Sequence, residues 1–343
     1  MDRKFKFGIV GMGAIGDLHA KCILEIEEAE LAAIQCRTVS KGENLSKTLN
    51  VDYHPDYRDL IAREDIDIVD ICLPSGMHME PAVEAAKAGK HVIVEKPIDV
   101  TLERADEIID TCRECGVKLA CIFQSRFAQP TRSLKEAVDN GELGRLVLGD
   151  AYIKWHRPQG YYDSTDWRGT IKGDGGAALI NQSIHTIDLL QWVMGPVKRI
   201  YGKTATHTHK IEGEDVGLGI LEFENLALGV IEGSTSIYPG FAQRLEIHGE
   251  KGSIILESDE IKSWIIQGKE QVQPEGEKSD GTGASDPMAI GYIKHKRQIQ
   301  DMIDAIKEDR EPFVNGEEGR KALEIVLGIY KSSKVAKPVD FPL

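Results

Sequence analysis

Apolar, β-branched runs recur through the first third of the chain: KFGIV (6–10), ELAAIQC (30–36), IDIVDICL (66–73), HVIVE (91–95) and KLACIF (118–123). Runs that stay apolar instead of alternating are those buried on both faces of a parallel sheet. Between them stand helical patterns, MEPAVEAAKAG (79–89) and TLERADEIIDTCRECG (101–116), each ended by a glycine at the C-cap position. Strand and helix repeating in this way predict an α/β domain over residues 1–124, doubly wound on a mostly parallel sheet.

Beyond residue 124 the pattern changes. A helical stretch, TRSLKEAVDNG (131–141), gives way to longer strand patterns: VLGDAYIKWH (147–156), GLGILEFEN (217–225), LALGVIEGSTSIY (226–238) and QRLEIHGEKGSIILES (243–258). Joined by short turns such as GEKG, they predict an α+β domain over residues 125–343, with a large, mostly antiparallel open sheet. The Gly-, Ser- and acid-rich stretch from Gln271 to Ser285 is expected to be a mobile loop. Helical patterns at 293–310 and 316–333 follow.

A length of 343 residues exceeds the usual size of one hydrophobic core, in keeping with two domains. The net charge of −14 argues against recognition of nucleic acid or an anionic membrane surface through bulk electrostatics. Without an apolar run of about 18 residues, and with strand-like sequence beginning by Phe5, a soluble cytosolic protein is expected. The six cysteines read as buried thiols. Cys112 and Cys115 form one C-x-x-C late in a helical pattern, with no second pair to complete a metal site.

The sequence GIVGMGAIG carries Gly11, Gly13 and Gly16 as G-x-G-x-x-G after the first strand and at the opening of a helix. Such a turn, here with Met12, Ala14 and Ile15 between the glycines, lets a dinucleotide pyrophosphate approach the helix N-terminus. An NAD-binding chain usually places an acid about 20 residues on, at the end of the second strand, for the ribose 2′-hydroxyl. Cys36 stands there instead, followed by Arg37, Thr38, Ser40 and Lys41. That cluster suits a 2′-phosphate and favours NADP(H) over NAD(H).

Glu95 and Lys96 follow the strand 91–95 at its carboxyl end, where open α/β sheets bind their ligands. A helix predicted from Ala178 to Val193 puts Asn181, His185 and Asp188 on one face at i, i+4 and i+7 spacing. In YYDSTDWRG (161–169), Tyr162, Trp167 and Arg168 are candidates to stack on or bind a substrate. Lys154 and His156 share a strand face that is a candidate border of the pocket, and Arg126 follows the last strand of the first domain. His207 and His209 lack partners with metal-ligand spacing.

The glycine turn, LPSGMHMEPAVEAAKAGKHVIVEKP (73–97) and GDGGAALINQSIHTIDLLQWVMG (173–195) together resemble the Gfo/Idh/MocA oxidoreductases, which include glucose-fructose oxidoreductase and inositol dehydrogenases. The resemblance implies that Lys96 projects towards the nicotinamide and the reacting hydroxyl, that Pro97 is cis, and that Pro74, Ser75 and His78 line the nicotinamide and its ribose. A lysine beside a positively charged nicotinamide has a lowered pKa and serves as acid or base near neutrality. His185 is implied to enter the active site. Many family members carry aspartate four residues before this histidine, whereas this chain has Asn181, which moves the proton transfer towards Lys96. The activity implied is hydride transfer between NAD(P) and a secondary hydroxyl of a sugar, inositol, glycoside or nucleotide sugar, a reaction that needs no metal. A homodimer or homotetramer built on the open sheet face is expected. The alternative is a sensor of the same fold that binds NAD(P) without turnover.

Overall fold

A computed structural model describes residues 3–269 and 291–343, so the expected loop at 271–285 lies outside the described residues. The chain divides into two compact units, Met1–Gln124 with Tyr292–Arg320, and Ser125–Gly291 with Lys321–Leu343. The segment from Tyr292 to Arg320, assigned by chain order to the second domain, therefore belongs to the first unit. Its helix Ile293–Lys307 buries Ile299, Met302 and Ile303 in the same core as Phe7, Ile9 and Ile23. Periodicity reveals that such a helix is amphipathic, but not which sheet its apolar face will cover.

In the first unit, β1 (Phe5–Val10), β2 (Ala29–Gln35), β3 (Asp52–His54), β4 (Ile68–Ile71), β5 (His91–Val94) and β6 (Leu119–Cys121) form one sheet in the order β3-β2-β1-β4-β5-β6. All of its pairings are parallel. The reversal of strand order between β1 and β4 is the doubly wound topology, with its crevice at the carboxyl edge. Ile9, Val10, Ile34, Ile68, Val69, Ile71, Val92, Ile93 and Val94 are fully buried, as continuous apolar strands require. The helices α1 (Ala14–Leu24), α2 (Val39–Leu49), α3 (Tyr57–Ile61), α4 (Met79–Lys87) and α5 (Leu102–Glu114) connect the strands. The predicted terminating glycines of α4 and α5, Gly89 and Gly116, have φ of 74° and 67°, a conformation that costs glycine little.

The second unit is built on β7 (Leu146–Lys154), β8 (Val197–Ala205), β9 (Val216–Phe223), β10 (Leu228–Ser234), β11 (Arg244–Gly249), β12 (Gly252–Glu257), β13 (Glu260–Ile266) and β14 (Val339–Asp340). Their order is β13-β12-β11-β7-β10-β9-β8-β14, antiparallel except where β7 meets β10. Alternation sends Leu221, Phe223, Ile231, Leu245, Ile247 and Ile254 to the buried face. A π-helical turn, Ala178–Ser183, and the helix Ile184–Met194 lie against that face. Leu179 of the π turn packs so tightly on the strands that a Cβ at Gly217 would sit 2.5 Å from it. The strands β8 and β13 are not legible as such in the sequence, because charged residues interrupt their apolar pattern; β14 is only two residues long, and the π turn reads as the start of the following helix.

Candidate active site

Because the strands of the first unit are parallel, the loops after β1, β2, β4 and β5 emerge at one edge of the sheet, and the candidate cofactor residues gather there. Gly11 has φ of 100°, and a Cβ on it would lie 2.7 Å from the carbonyl oxygen of Cys72. A Cβ on Gly16 would collide with the carbonyl oxygen of Gly11, whereas one on Gly13 would meet open space. Gly13 is the exposed N-cap of α1 and offers no side-chain cap, so the backbone N–H groups of the first helical turn, which begins at Ala14 and Ile15, face outward. An open cradle over a helix N-terminus fits a dinucleotide pyrophosphate.

The other cofactor candidates divide into exposed and committed groups. Arg37 and Thr38 are exposed after β2. Cys36 is buried, and its carbonyl accepts the hydroxyl of Tyr53 at 3.0 Å. Met12 is also buried, and its carbonyl accepts from Lys41 Nζ at 2.6 Å. Lys41 also lies 3.6 Å from Asp17, so it is tied back to the glycine turn.

Past β4, Pro74 is half-buried and Ser75 buried. His78 is wholly buried, with Nδ1 3.0 Å from the Pro97 carbonyl and Nε2 2.9 Å from the Leu73 carbonyl. With both ring nitrogens on carbonyls it braces two loops of the site against each other. Past β5, the Lys96–Pro97 bond is cis, as expected, and Lys96 is half-buried. Glu95, expected among the cofactor contacts, turns inward instead. One of its oxygens accepts the Lys96 backbone N–H at 3.0 Å, and the other lies 3.2 Å from Nε2 of His19 on α1.

In the second unit Asn181 sits in the π turn and His185 at the start of the following helix, both half-buried. Asn181, His185 and Asp188 do not form one polar stripe, because the wider π turn sets 181 apart from the helix. Asp188 is fully buried and pairs with both Nε and Nη2 of Arg126, at 2.8 and 2.6 Å. Arg126 is itself only 1% exposed, so the charge that made it a substrate candidate is already matched. Asn181 donates to Asp174 at 2.5 Å and accepts from Gln182 at 2.7 Å. Gln182 reaches the hydroxyl of Tyr161 at 3.0 Å and accepts from Nε of buried Arg157 at 3.1 Å. Asp174, Gln182, Tyr161 and Arg157 escaped the sequence reading, since only the fold draws residues 157–182 into one network.

The remaining candidates have partners of their own. Tyr162 is buried and bonded to Thr235 at 2.8 Å, a core position. Trp167 and Arg168 are half-buried, with the guanidinium 4.4 Å from the ring centre of Tyr161 and 5.4 Å from that of Trp167. Lys154 points to the outer sheet face and pairs with Glu232 at 2.9 Å, while His156 meets the ring of Tyr238 edge-on. His209 is held between Asp215, at 3.0 Å, and the carbonyl of Arg157, at 2.7 Å.

Residues 5–123 match the oxidoreductase family with an NAD-binding Rossmann fold, and residues 131–255 the GFO/IDH/MocA C-terminal domain. The uncharacterized oxidoreductase YrbE of Bacillus subtilis is 32% identical over 74% of this chain and 74% of its own. Myo-inositol 2-dehydrogenase of Thermotoga maritima is 27% identical over 97% of this chain and 98% of its own. The crystal structure of the WlbA dehydrogenase from Bordetella pertussis, in complex with NADH and UDP-GlcNAcA, is 30% identical and superposes with a TM-score of 0.90, covering 99% of this chain and 100% of that one. With both of its halves matched and its glycine turn shaped for a dinucleotide, this chain belongs to the Gfo/Idh/MocA family of oxidoreductases.

Proposed function

We propose that this enzyme oxidises a secondary hydroxyl of a sugar, inositol, glycoside or nucleotide sugar, or reduces the corresponding ketone, with Lys96 moving the proton. The observation that carries the reading is the place of the Glu95-Lys96-Pro97 turn at the carboxyl edge of β5, the edge that also bears the glycine cradle. The nicotinamide, when bound, accepts or supplies the hydride. Gly11, Gly13 and Gly16 would hold the pyrophosphate, and Arg37 and Thr38 the adenosine ribose end. NADP(H) is favoured over NAD(H), since no carboxylate replaces Cys36 and Arg37 is exposed beside it. Lys96 takes the hydroxyl proton during oxidation and returns it during reduction. His185 and Asn181 bind and orient the substrate hydroxyls, and Trp167 and Arg168 are proposed to border them.

The substrate class draws support from the relatives, one named for inositol and one crystallised with a nucleotide sugar. Turnover of a panel of inositols, glycosides and UDP-sugars with either dinucleotide tests the class. Lys96→Met is expected to lower kcat by roughly a hundredfold or more, the scale of a lost acid/base group, while leaving dinucleotide affinity largely intact. Wild-type oxidation should rise with pH through a limb that is missing in the variant. A Lys96→Met enzyme turning over at nearly the wild-type rate would move the proton chemistry to another residue.

A further inference from the structure

Below the Lys96 turn lies a buried cluster that the proposed chemistry does not use. His19 on α1 and Asp70 on β4 are fully buried, and Glu95 is 5% exposed. His19 Nδ1 stands 2.8 Å from Asp70 Oδ2, and Nε2 stands 3.2 Å from Glu95 Oε1. Both ring nitrogens thus face oxygens that, in ionised carboxylates, only accept. Nδ1 is hydrogen-bonded to Asp70, whereas Nε2 lies at ion-pair distance from Glu95 without a hydrogen bond between them; an imidazolium meets both carboxylates with its charge, while a neutral imidazole leaves one of them facing a lone pair or an uncharged N–H.

We infer that His19 and Glu95 are positioning residues for Lys96: a buried imidazolium clamped between Asp70 and Glu95 fixes the carboxylate that holds the Lys96 backbone. The inference rests on Lys96 as the acid/base. Glu95 joins the two ends of the device, because its second oxygen accepts the Lys96 N–H at 3.0 Å. His19 is carried by the helix whose N-terminus forms the glycine cradle, so the same clamp registers the cofactor helix against the Lys96 turn.

The charged and titratable neighbours agree with this assignment. Burial works against the His19 cation, but Asp70, through its charge and its hydrogen bond, outweighs it and holds the pKa well above the usual value. Burial likewise opposes ionised Glu95, yet His19, then Lys96 and His295 on the helix Ile293–Lys307, bring its pKa down to about 2. Cys72 lies 3.4 Å from His19 Nδ1, and burial, then Asp70, pushes its thiol up to about 12, so it stays neutral. Cys22 on α1 is pushed up to about 11, by burial first.

The first test reads the imidazole directly. Nitrogen-15 NMR of histidine-labelled full-length protein, with His19 assigned by the signal lost in His19→Gln, should show both nitrogens protonated from pH 6 to pH 8. A neutral tautomer at pH 7 would overturn the clamp, and this measurement needs only the wild type to be folded if assignment is made instead by backbone correlation. The second test is Glu95→Gln, close in shape but uncharged. Removing an anion beside Lys96 disfavours its ammonium, so the oxidation limb should move to lower pH by roughly one unit. Turnover should drop about tenfold, with the dinucleotide Kd within about twofold of wild type. A limb that coincides with wild type, in a background where Lys96→Met is inactive, sinks the positioning role and leaves the acid/base reading standing. An active Lys96→Met removes that reading, and the positioning role with it.

Discussion

Asn181 stands where many family members carry aspartate, and its nearest acidic partner changes what that difference means. Its amide donates to Asp174, so the negative charge missing at 181 sits one hydrogen bond away. Asp174 is buried and also accepts the Gly169 N–H at 2.9 Å, which leaves little freedom in the direction it presents to Asn181. No spacing rule links residues 174 and 181, because the turn between them contains Gly175 at φ 81° and then opens into a π turn. Arg37 presents the opposite case, a residue legible in sequence and left exposed by the fold. NADPH is expected to bind more tightly than NADH, and Arg37→Ala to erase the difference, as read by fluorescence titration of apo protein. NADH binding at least as tight as NADPH, unaffected by the substitution, would show that no 2′-phosphate site exists after β2.

The helical segment that carries Asn181 and His185 owes its placement to one acid, Glu214, in the loop just before β9. Glu214 accepts the backbone N–H groups of Leu179 at 2.7 Å and Ala177 at 3.3 Å, and the Tyr330 hydroxyl at 2.9 Å. It therefore satisfies the first donors of the π turn in the way an N-cap would. Burial pushes its pKa up to about 7, against the pull of those hydrogen bonds. From its ordinary 4.5 to about 7 the folded protein holds a proton that the unfolded chain has released. Its contribution to stability accordingly falls as pH rises through that window and levels off above it. Glu214→Gln removes this titration. The stability of wild type minus that of the variant, from urea unfolding between pH 4.5 and pH 8, should decline through the window; a constant difference would mean that Glu214 is ionised throughout.

At the scale of the whole molecule, the outer face of the eight-stranded sheet stands out. Cross-strand register lines up Ile255, Glu246, Asp150, Val230, Ile220 and Tyr201 in one row, with Leu228 and Leu218 in the rows on either side of it. Ile220 is 58% exposed, and Tyr201, Leu218 and Leu228 are exposed with it. A contiguous apolar group on a sheet face points to a covering partner, and a second copy of this chain is the occupant we propose. Light scattering is expected to give a dimer or tetramer, and Ile220→Asp to shift it towards the 37.9 kDa protomer. A wild-type monomer at micromolar concentration would refute the assembly. Among the described residues no helix is long and apolar enough to cross a membrane.

Sequence alone determined what depends on local order. The apolar runs named five of the six strands of the first sheet, the terminal glycines set the ends of α4 and α5, and the glycine turn announced a dinucleotide, because each of these is written within a few consecutive residues. The E-K-P segment pointed to Lys96 through its resemblance to the family motif, with which its place after a strand agrees. Tertiary structure decided what depends on side chains distant in the chain. It took the helix Ile293–Lys307 into the first unit, turned Glu95 and His78 inward, matched Arg126 with Asp188, and supplied Asp174 to Asn181. A buried polar group must find its partners wherever the fold brings them, and sequence separation places no limit on that choice.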